Sequence, residues 1–443
     1  MQIIVRCALA LMLLSVQPAR AQIRLPQLPL GLPTQALHNT TQLLNQTESQ
    51  TLQRLGDLRL SEVTRLTRTY PTKVELDPEG QLMVRSEILA LTPTDTAVDT
   101  ARAAGFSIVR ERNLEPLGLR VIVLGVPGKL ATKKALRQLR EADPAGIYDY
   151  NHIYLGSGNV ASGEAQQAVV ANPAAGTAAN TASNDAATSR QIRVGLIDSG
   201  IDGSHPAFAA AAITHWGCDD KLMPAAHGTA VASLLVGRTE VFRGVQPLAA
   251  LYAADVYCGL PTGGALDALL GAFGWLVQSQ VPVINVSLVG PKNAMLQAVV
   301  AKLSAAGFTI VAAVGNDGPA APPLYPASYP NVIGVTAVDA HRHVLIEAAR
   351  GPQVMFAAIG ADTAAAGANK DYAAVRGTSF AAPIVAALLA AQITQPDPAQ
   401  VTAALSALEK QAVDLGPSGR DLTYGFGLVG EEFRNDPASL KHR

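Results

Sequence analysis

The segment Ile192–Asp198, of sequence IRVGLID, decides the fold of this 443-residue chain. Apart from one arginine it is a short apolar run, and it ends on a carboxylate that is followed by Ser199-Gly200. A nearly continuous apolar run of this length is typical of a strand that is covered on both faces of a parallel sheet. We therefore interpret it as the first strand of an α/β domain covering residues 191–435.

Strands and helices continue to alternate after this segment. Their order implies right-handed crossovers and a doubly wound parallel sheet, in which reactive residues gather outside the carboxyl ends of the strands. The further predicted strands are Ala250–Val256, Val281–Leu288, Phe308–Val314 and Val332–Val338. The predicted helices are Gly228–Gly237, Gly264–Gln278, Asn293–Ala306, Ser379–Ile393 and Pro398–Leu408.

A smaller unit precedes the α/β domain. Residues 82–155 follow the order strand, helix, strand, strand, helix, strand, which predicts a ferredoxin-like α+β domain. Thr94 is the predicted N-cap of its first helix, and Gly105 the predicted stop. Residues 156–190 are rich in Asn, Ala, Gly, Ser and Thr, and so few large apolar side chains predict a flexible linker.

The N-terminus has the features of a secretory signal over residues 1–21. Arg6 precedes a short apolar stretch, and Ala19-Arg20-Ala21 offers a cleavage site before Gln22. An uncleaved anchor or a buried helix is the alternative. We expect export to a periplasm or to the outside of the cell, with no membrane span once the signal is removed. Residues 22–81 form an N-terminal extension to which we assign no function.

Charge and cysteine content narrow the function classes. The formal net charge is −1 without a block of like charges, so we expect no nucleic-acid partner. Of three cysteines, Cys7 would leave with the signal. Cys218 and Cys258 remain in a compartment that permits disulfides, and they either form a bridge or stay as two buried thiols.

Four polar residues fall at predicted strand ends or helix starts: Asp198, His227, Asn316 and Ser379. Each alone is an ordinary turn, cap or packing residue. Together their types fit nucleophilic acyl transfer, with serine as nucleophile, histidine as base, aspartate to orient the histidine, and the amide to hold an oxyanion. Their order along the chain, Asp then His then Ser, is the order known for subtilisin.

On these residues the chain resembles the subtilisin-like serine peptidases over about residues 191–430. Several long motifs occur in the correct order, which makes the resemblance specific. The matching segments are Asp198–Gly200, His227–Thr229, Val283–Leu288, Ala313–Asn316, Tyr325–Ile333 and Gly377–Pro383.

The resemblance implies a seven-stranded parallel core and endopeptidase activity. Ser379 would attack the scissile carbonyl, His227 would move its proton, and Asp198 would hold the imidazole. Asn316 and the Ser379 N–H would form the oxyanion hole. The peptide substrate would pair antiparallel with the family's cleft strand. The expected substrate-binding residues are Ser287, Gly290 and Gly315.

The resemblance also gives the unit at 82–155 a role. It is similar in position and pattern to the family's propeptide, which implies an intramolecular inhibitor that is cleaved off between Tyr154 and Gln191, most simply near Tyr154. A permanent accessory domain is the alternative. Val289 stands where many relatives have glycine, and a side chain there is expected to narrow the cleft.

Other functions fit the sequence less well. An esterase of the α/β-hydrolase type would need a Gly-x-Ser-x-Gly elbow after a strand and the order Ser, Asp, His. A catalytically silent binding or chaperone-like module stays as the alternative. We predict no cofactor and no metal site, with a structural calcium ion as the alternative that the resemblance implies. No acidic cluster supports a calcium site, because Asp219 and Asp220 are only two adjacent carboxylates and calcium needs six to eight oxygens.

Overall fold

The computed structural model describes residues 61–115, 117–160 and 191–440, all of which lie in one compact unit of the chain. The predicted signal over residues 1–21, most of the extension up to residue 81, and residues 161–190 of the predicted linker lie outside the described residues. Among the described residues, no helix is both long enough and apolar enough to cross a bilayer.

The N-terminal part is a five-stranded antiparallel sheet with helices on it. In chain order the elements are α1 (61–69), β1 (Val74–Leu76), β2 (Leu82–Leu91), α2 (Asp95–Ala103), β3 (Ser107–Leu114), β4 (Leu119–Gly125), α3 (Thr132–Ala142) and β5 (Ile147–His152). Four of the strands lie in the order β5-β2-β4-β3, the ferredoxin-like arrangement predicted from the sequence, and β1 also pairs with β2. Thr94 caps α2 by accepting a hydrogen bond from the N–H of Ala97.

The C-terminal part is built on a seven-stranded parallel sheet. Its strands are β8 (Arg193–Asp198), β9 (Ala212–Trp216), β10 (Ala250–Asp255), β11 (Val283–Val286), β13 (Thr309–Ala313), β14 (Val332–Val338) and β15 (Val354–Ile359). They lie in the order β15-β14-β13-β11-β8-β10-β9, which confirms the doubly wound fold. The helices are α4 (Ala226–Val236), α5 (Leu266–Gln278), α6 (Ala294–Ala305), α7 (Thr378–Ala390), α8 (Pro398–Gln411) and α9 (Pro437–Leu440). Short strands outside the sheet are β12 (Leu288–Val289), β16 (Thr363–Ala366) and β17 (Tyr372–Arg376).

Successive residues of β8 belong to two different cores, as its apolar sequence requires. Leu196 packs in the core that holds α4 and α7, and Ile197 packs in the core that holds α5 and α6. Leu89 and Val121 of the N-terminal sheet join this second core. The two parts of the chain therefore share apolar packing and are not merely joined by a linker.

A buried polar contact reinforces this junction. Asp267, in the first turn of α5, is only 4% exposed. Its carboxylate accepts hydrogen bonds from Arg110 Nε at 3.0 Å and from Asn151 Nδ2 at 2.9 Å, and its N–H donates to Asn151 Oδ1 at 3.1 Å. Arg110 and Asn151 belong to the N-terminal part, so both charge and hydrogen bonding fix how that part sits on α5.

The predicted linker begins too early. Residues 156–160 are ordered by two short strands, β6 (Leu155–Gly156) and β7 (Asn159–Val160), which pair with β12 and β17. The composition of this stretch indicated disorder because its small side chains bury little surface. Here backbone hydrogen bonds to neighbouring strands supply the order, and small side chains let the chain lie close to them.

Cys218 and Cys258 form a disulfide, which settles the two alternatives left by the sequence. The bond links the segment after β9 to the segment after β10.

Replacing both cysteines with serine is expected to lower the free energy of unfolding by about 4 kcal/mol, because the bond spans 40 positions and restricts the unfolded chain. Thermal unfolding with and without a reductant measures this loss. The reductant should destabilise the wild-type protein and leave the double variant unchanged. Equal stability of the oxidised protein and the variant would contradict the prediction.

Candidate active site

Asp198 and His227 meet at the carboxyl end of the parallel sheet. Asp198 is the last residue of β8, and His227 is the second residue of α4. The Nδ1 atom of His227 lies 2.8 and 3.0 Å from the two carboxylate oxygens of Asp198, which is fully buried. The N–H and hydroxyl of Ser199 also donate to Asp198 Oδ1, at 2.6 and 3.1 Å. The carboxylate is thus held in place and in turn orients the imidazole.

A glycine makes this approach possible. A Cβ atom at Gly228 would collide with the carbonyl oxygen of Ser199, so the start of α4 can reach the turn after β8 only without a side chain there. The Gly228 N–H donates to Ser199 Oγ at 2.9 Å. The glycine that follows the histidine is therefore required by packing at this point.

Ser379 is the second residue of α7 and comes two positions after Gly377, whose φ of +137° suits glycine. The serine is fully buried, and its hydroxyl donates to the carbonyl oxygen of Ser287 at 3.1 Å. Nε2 of His227 is buried without a hydrogen-bond partner among the described residues. The structure brings serine and histidine to the same site without a hydrogen bond between them.

The chain itself fills the space between these two residues. Strand β6 pairs antiparallel with β12, with Gly156 opposite Leu288 and Leu155 opposite Val289. A Cβ atom at Gly156 would lie 3.6 Å from His227 Nε2. An extended segment thus enters the cleft in the orientation predicted for a substrate.

The next residue, Ser157, lies directly on Ser379. The Ser157 N–H donates to Ser379 Oγ at 3.1 Å and to the carbonyl oxygen of Ser287 at 3.4 Å. The Ser157 carbonyl oxygen accepts the N–H of Ser379 at 3.1 Å. Beyond it the segment continues into β7, which pairs with β17. The peptide bond between Ser157 and Gly158 therefore lies beside the Ser379 hydroxyl.

Asn316 follows β13 and faces the same peptide unit. Its Nδ2 donates to the hydroxyl of Ser157 at 3.1 Å, and its Oδ1 accepts the N–H of Thr378 at 3.1 Å. The hydroxyls of Thr378 and Ser157 are 3.1 Å apart, and Thr378 Oγ1 accepts the N–H of Gly315 at 3.2 Å. The predicted oxyanion donor is therefore directed at the Ser157 side chain, next to the carbonyl.

Two of the three predicted substrate-binding residues contact the segment. The carbonyl oxygen of Ser287 accepts the N–H of Ser157, as described above. Gly290 lies under the ring of Tyr154, since a Cβ atom there would be 2.5 Å from the Tyr154 Cδ1. Gly315 is linked to the segment only through Thr378, whose hydroxyl accepts the Gly315 N–H and lies 3.1 Å from the Ser157 hydroxyl.

Tyr154 anchors the segment, a role that the sequence did not reveal. It is fully buried, and its hydroxyl donates to the carbonyl oxygen of Pro291 at 2.9 Å. Its own N–H and carbonyl are bound by Gly264 and by the hydroxyl of Tyr257, at 2.8 and 2.9 Å. Burial raises the pKa of Tyr154 well above the usual value, so the phenol stays neutral and can donate. The available signal was a tyrosine two positions before Gly156-Ser157-Gly158.

Two clusters of the described residues offer three donor groups suited to a metal ion. One consists of Cys218, Asp255 and Cys258, but its cysteines are joined in the disulfide and are not thiolates. The other consists of Asp339, His341 and Asp362, of which the last two are exposed. The absence of a metal and a cofactor stays a prediction.

Comparison with known proteins agrees with this arrangement. Residues 189–427, more than half of the chain, match the model of the Subtilase family. The chain belongs to the subtilase family. Its match covers the whole parallel sheet and all four residues singled out from the sequence.

Individual relatives are similar to about half of the chain or more. The minor extracellular protease Epr of Bacillus subtilis is 32% identical over 55% of this chain, which spans only 38% of the length of Epr. The subtilisin of Bacillus pumilus is 32% identical over 55% of this chain and 90% of its own length. The crystal structure of fervidolysin from Fervidobacterium pennivorans, a keratinolytic enzyme related to subtilisin, matches 84% of this chain and 62% of its own with a TM-score of 0.63 and 20% identity. That last similarity shows a shared fold.

Replacing Tyr154 with alanine is expected to loosen the segment in the cleft, because emptying a buried aromatic site costs about 3–5 kcal/mol. In a chain that also carries Ser379→Ala, amide hydrogen exchange at Gly156 and Ser157 should accelerate by about 10²-fold. The control is Leu76→Ala, on an exposed side chain of β1. Unchanged exchange in the Tyr154 variant would show that the tyrosine does not anchor the segment.

Proposed function

We propose that this subtilase is an exported serine endopeptidase that is made as a precursor and processes itself. One observation carries the proposal: an extended segment of the chain crosses the cleft, with the Ser157 carbonyl oxygen 3.1 Å from the Ser379 N–H. Membership of the family supports a peptidase. The pairing of β6 with β12 supports a peptide as its substrate.

In the proposed reaction, Ser379 Oγ attacks the carbonyl carbon of the scissile peptide bond. Its hydroxyl first exchanges the Ser287 carbonyl for His227 Nε2, which accepts the proton. Asp198 holds the imidazole so that Nε2 is the free nitrogen, and it stabilises the imidazolium that forms. His227 then protonates the leaving amine, and an acyl-enzyme on Ser379 remains. Water, deprotonated by His227, attacks the acyl-enzyme, releases the carboxylate product and restores the serine.

The proposed oxyanion hole consists of the Ser379 N–H and the Asn316 side chain. The N–H already contacts a carbonyl oxygen of the bound segment. Asn316 Nδ2 donates to the adjacent Ser157 hydroxyl in the present arrangement, and a small rotation would direct it to the developing oxyanion. Such donors act strongly because the site is buried and needs little reorganisation.

The bond that the precursor would cleave first is Ser157–Gly158. It lies within the range expected from the sequence, three residues beyond Tyr154. After cleavage, the N-terminal part would keep its contacts with α5 and its pairing with β12, and so would remain in the cleft as an inhibitor. These contacts favour the role of a propeptide over that of a permanent accessory domain.

Export is supported by the signal-like residues 1–21 and by the disulfide, which suits an oxidising compartment. The relative Epr is named as an extracellular protease. We therefore propose the periplasm or the extracellular space as the site of action.

Replacing Ser379 with alanine is expected to abolish three activities together, because all three need the same nucleophile. These are hydrolysis of casein, labelling by a serine-directed phosphonate, and conversion of the precursor to the mature form. Intact mass should show a wild-type mature chain that begins at Gly158 and an uncleaved variant. Normal maturation of the variant would refute self-cleavage. A correctly matured wild type without activity on casein or the phosphonate would favour the silent module.

Replacing Asn316 with alanine is expected to lower kcat by about 10²–10³-fold with little change in KM, the range known for loss of such a donor in subtilisin. The variant should still react with the phosphonate, though more slowly. Steady-state kinetics on one peptide measures both constants. A KM effect without a kcat effect would assign Asn316 to substrate binding alone.

A further inference from the structure

We propose that the Cys218–Cys258 disulfide is a site of reversible thiol–disulfide exchange with a dithiol reductant, and that its reduction loosens the part of the cleft that holds the peptide. The chain would then hold a peptide firmly in an oxidising compartment and weakly where thiols stay reduced. The expected effect on turnover rests on the proposed function, whereas the expected effect on the bound segment does not.

The disulfide joins two loops, and each of them adjoins the site. The β9–α4 loop (residues 217–225) contains Cys218 and ends just before the helix that carries His227. Its last N–H, that of Ala225, donates to the carbonyl oxygen of Gly200 at 3.0 Å. Gly200 comes two positions after Asp198, so this loop contacts the chain on both sides of the Asp–His pair.

The β10–α5 loop (residues 256–265) contains Cys258 and holds the bound segment. The hydroxyl of Tyr257, the residue before Cys258, donates to the carbonyl oxygen of Tyr154 at 2.9 Å. The carbonyl oxygen of Gly264 accepts the N–H of Tyr154 at 2.8 Å. The disulfide therefore fixes the loop that binds the peptide to the loop that leads to the catalytic histidine.

A soluble reductant can reach the bond. Both cysteines are partly exposed, and each is followed by two exposed residues, 219–220 after Cys218 and 259–260 after Cys258. The second pair includes Leu260, which is 59% exposed. Access of this kind distinguishes a bond that exchanges with thiols in solution from one that is enclosed in a core.

The proposed exchange balances as follows. One thiolate of the dithiol attacks a sulfur of the bond, the S–S bond breaks, and the other cysteine leaves as a thiolate that takes up a proton. The second thiol of the reductant then attacks the mixed disulfide and releases the first cysteine. Two electrons pass to the protein, two thiols form on it, and the reductant becomes a disulfide.

Asp255 favours the reduced state. One of its carboxylate oxygens lies within 4.8 Å of both sulfurs. Its Oδ1 accepts the N–H groups of Tyr257 and Cys258, at 2.9 and 3.0 Å, but its Oδ2 is buried without a hydrogen-bond partner among the described residues. A disulfide has no hydrogen to offer, whereas a freed thiol can turn and donate one to Oδ2. Because an unsatisfied buried acceptor is costly, reduction relieves a cost that the oxidised state bears.

The backbone around the bond favours movement on reduction. Cys218, Asp219, Asp220 and Cys258 have φ values of 57°, 52°, 62° and 51°, in the left-handed region that is unfavourable for residues with a Cβ atom. Three of the four are successive residues of the β9–α4 loop. Opening the bond lets these residues return to ordinary conformations, so the loop no longer supports the β10–α5 loop in its present position.

The first test uses the precursor with Ser379→Ala, in which no cleavage occurs. Dithiothreitol should accelerate amide hydrogen exchange at residues 154–157 by about 10-fold, which corresponds to the loss of one or two hydrogen bonds. A chain that also carries Cys218→Ser and Cys258→Ser should exchange at the faster rate with or without the reductant. Exchange in the strand Val332–Val338, on the far side of the sheet, should stay within about 2-fold.

Circular dichroism shows that each form is folded, and alkylation followed by peptide mass shows that the bond is reduced. A folded protein whose bond resists dithiothreitol would overturn the exchange site. Unchanged exchange at residues 154–157 in a reduced, folded protein would overturn the coupling to the cleft.

The second test concerns Asp255 and measures the equilibrium of the bond with dithiothreitol and its cyclic disulfide. Asp255→Asn should shift this equilibrium toward the protein disulfide by about 10-fold or more, because an amide NH₂ in place of Oδ2 cannot accept a thiol hydrogen. The matched control is Asp220→Asn, on an exposed carboxylate two positions after Cys218, which should stay within about 2-fold. An equal shift in both variants would overturn the role of Asp255.

The third test uses the mature enzyme and a peptide that copies residues 154–160. Its kcat/KM should fall by about 10-fold on reduction and return on reoxidation, whereas the double serine variant should have the low value in both conditions. Full kcat/KM of reduced enzyme would overturn the effect on turnover and leave the endopeptidase intact. Absence of hydrolysis in both redox states, together with hydrogen exchange that responds to the reductant, would instead reject the proposed function and retain the exchange site.

Discussion

The pairing of β8 with both β10 and β11 is the constraint on which the site depends. It holds the carboxyl end of β8 in the interior of the parallel sheet, so Asp198 emerges beside the starts of two helices. One of them, α4, presents His227 and the other, α7, presents Ser379. Both helices pack in the same core as Leu196, and therefore the burial of apolar residues fixes the distances between polar ones.

The sequence predicted the helices and central strands well, because each is a long apolar segment bounded by turn residues. The strand Val332–Val338 has the predicted bounds. Edge strand β9 was missed because most of its side chains are exposed and carry no apolar pattern. Strands β15 to β17 were missed as well, although β15 is almost wholly buried.

The predicted site residues lie together for a reason that the sequence already contained, namely that strand ends and helix starts meet at one edge of the sheet. What the sequence could not give is the path of residues 154–160. Composition indicated a linker, whereas order there comes from backbone pairing with strands more than 120 positions away.

The continuity of the chain through the cleft has a kinetic consequence under the proposed function. The first peptide bond presented to each new molecule is its own, so that event is unimolecular and its rate does not depend on how dilute the protein is. This bond is held at the site by contacts that form when the chain folds, namely those of Tyr154, the pairing of β6 with β12 and the contacts of Asp267. Every later substrate must instead diffuse in and compete with the segment of the chain that already occupies the cleft when the protein has folded.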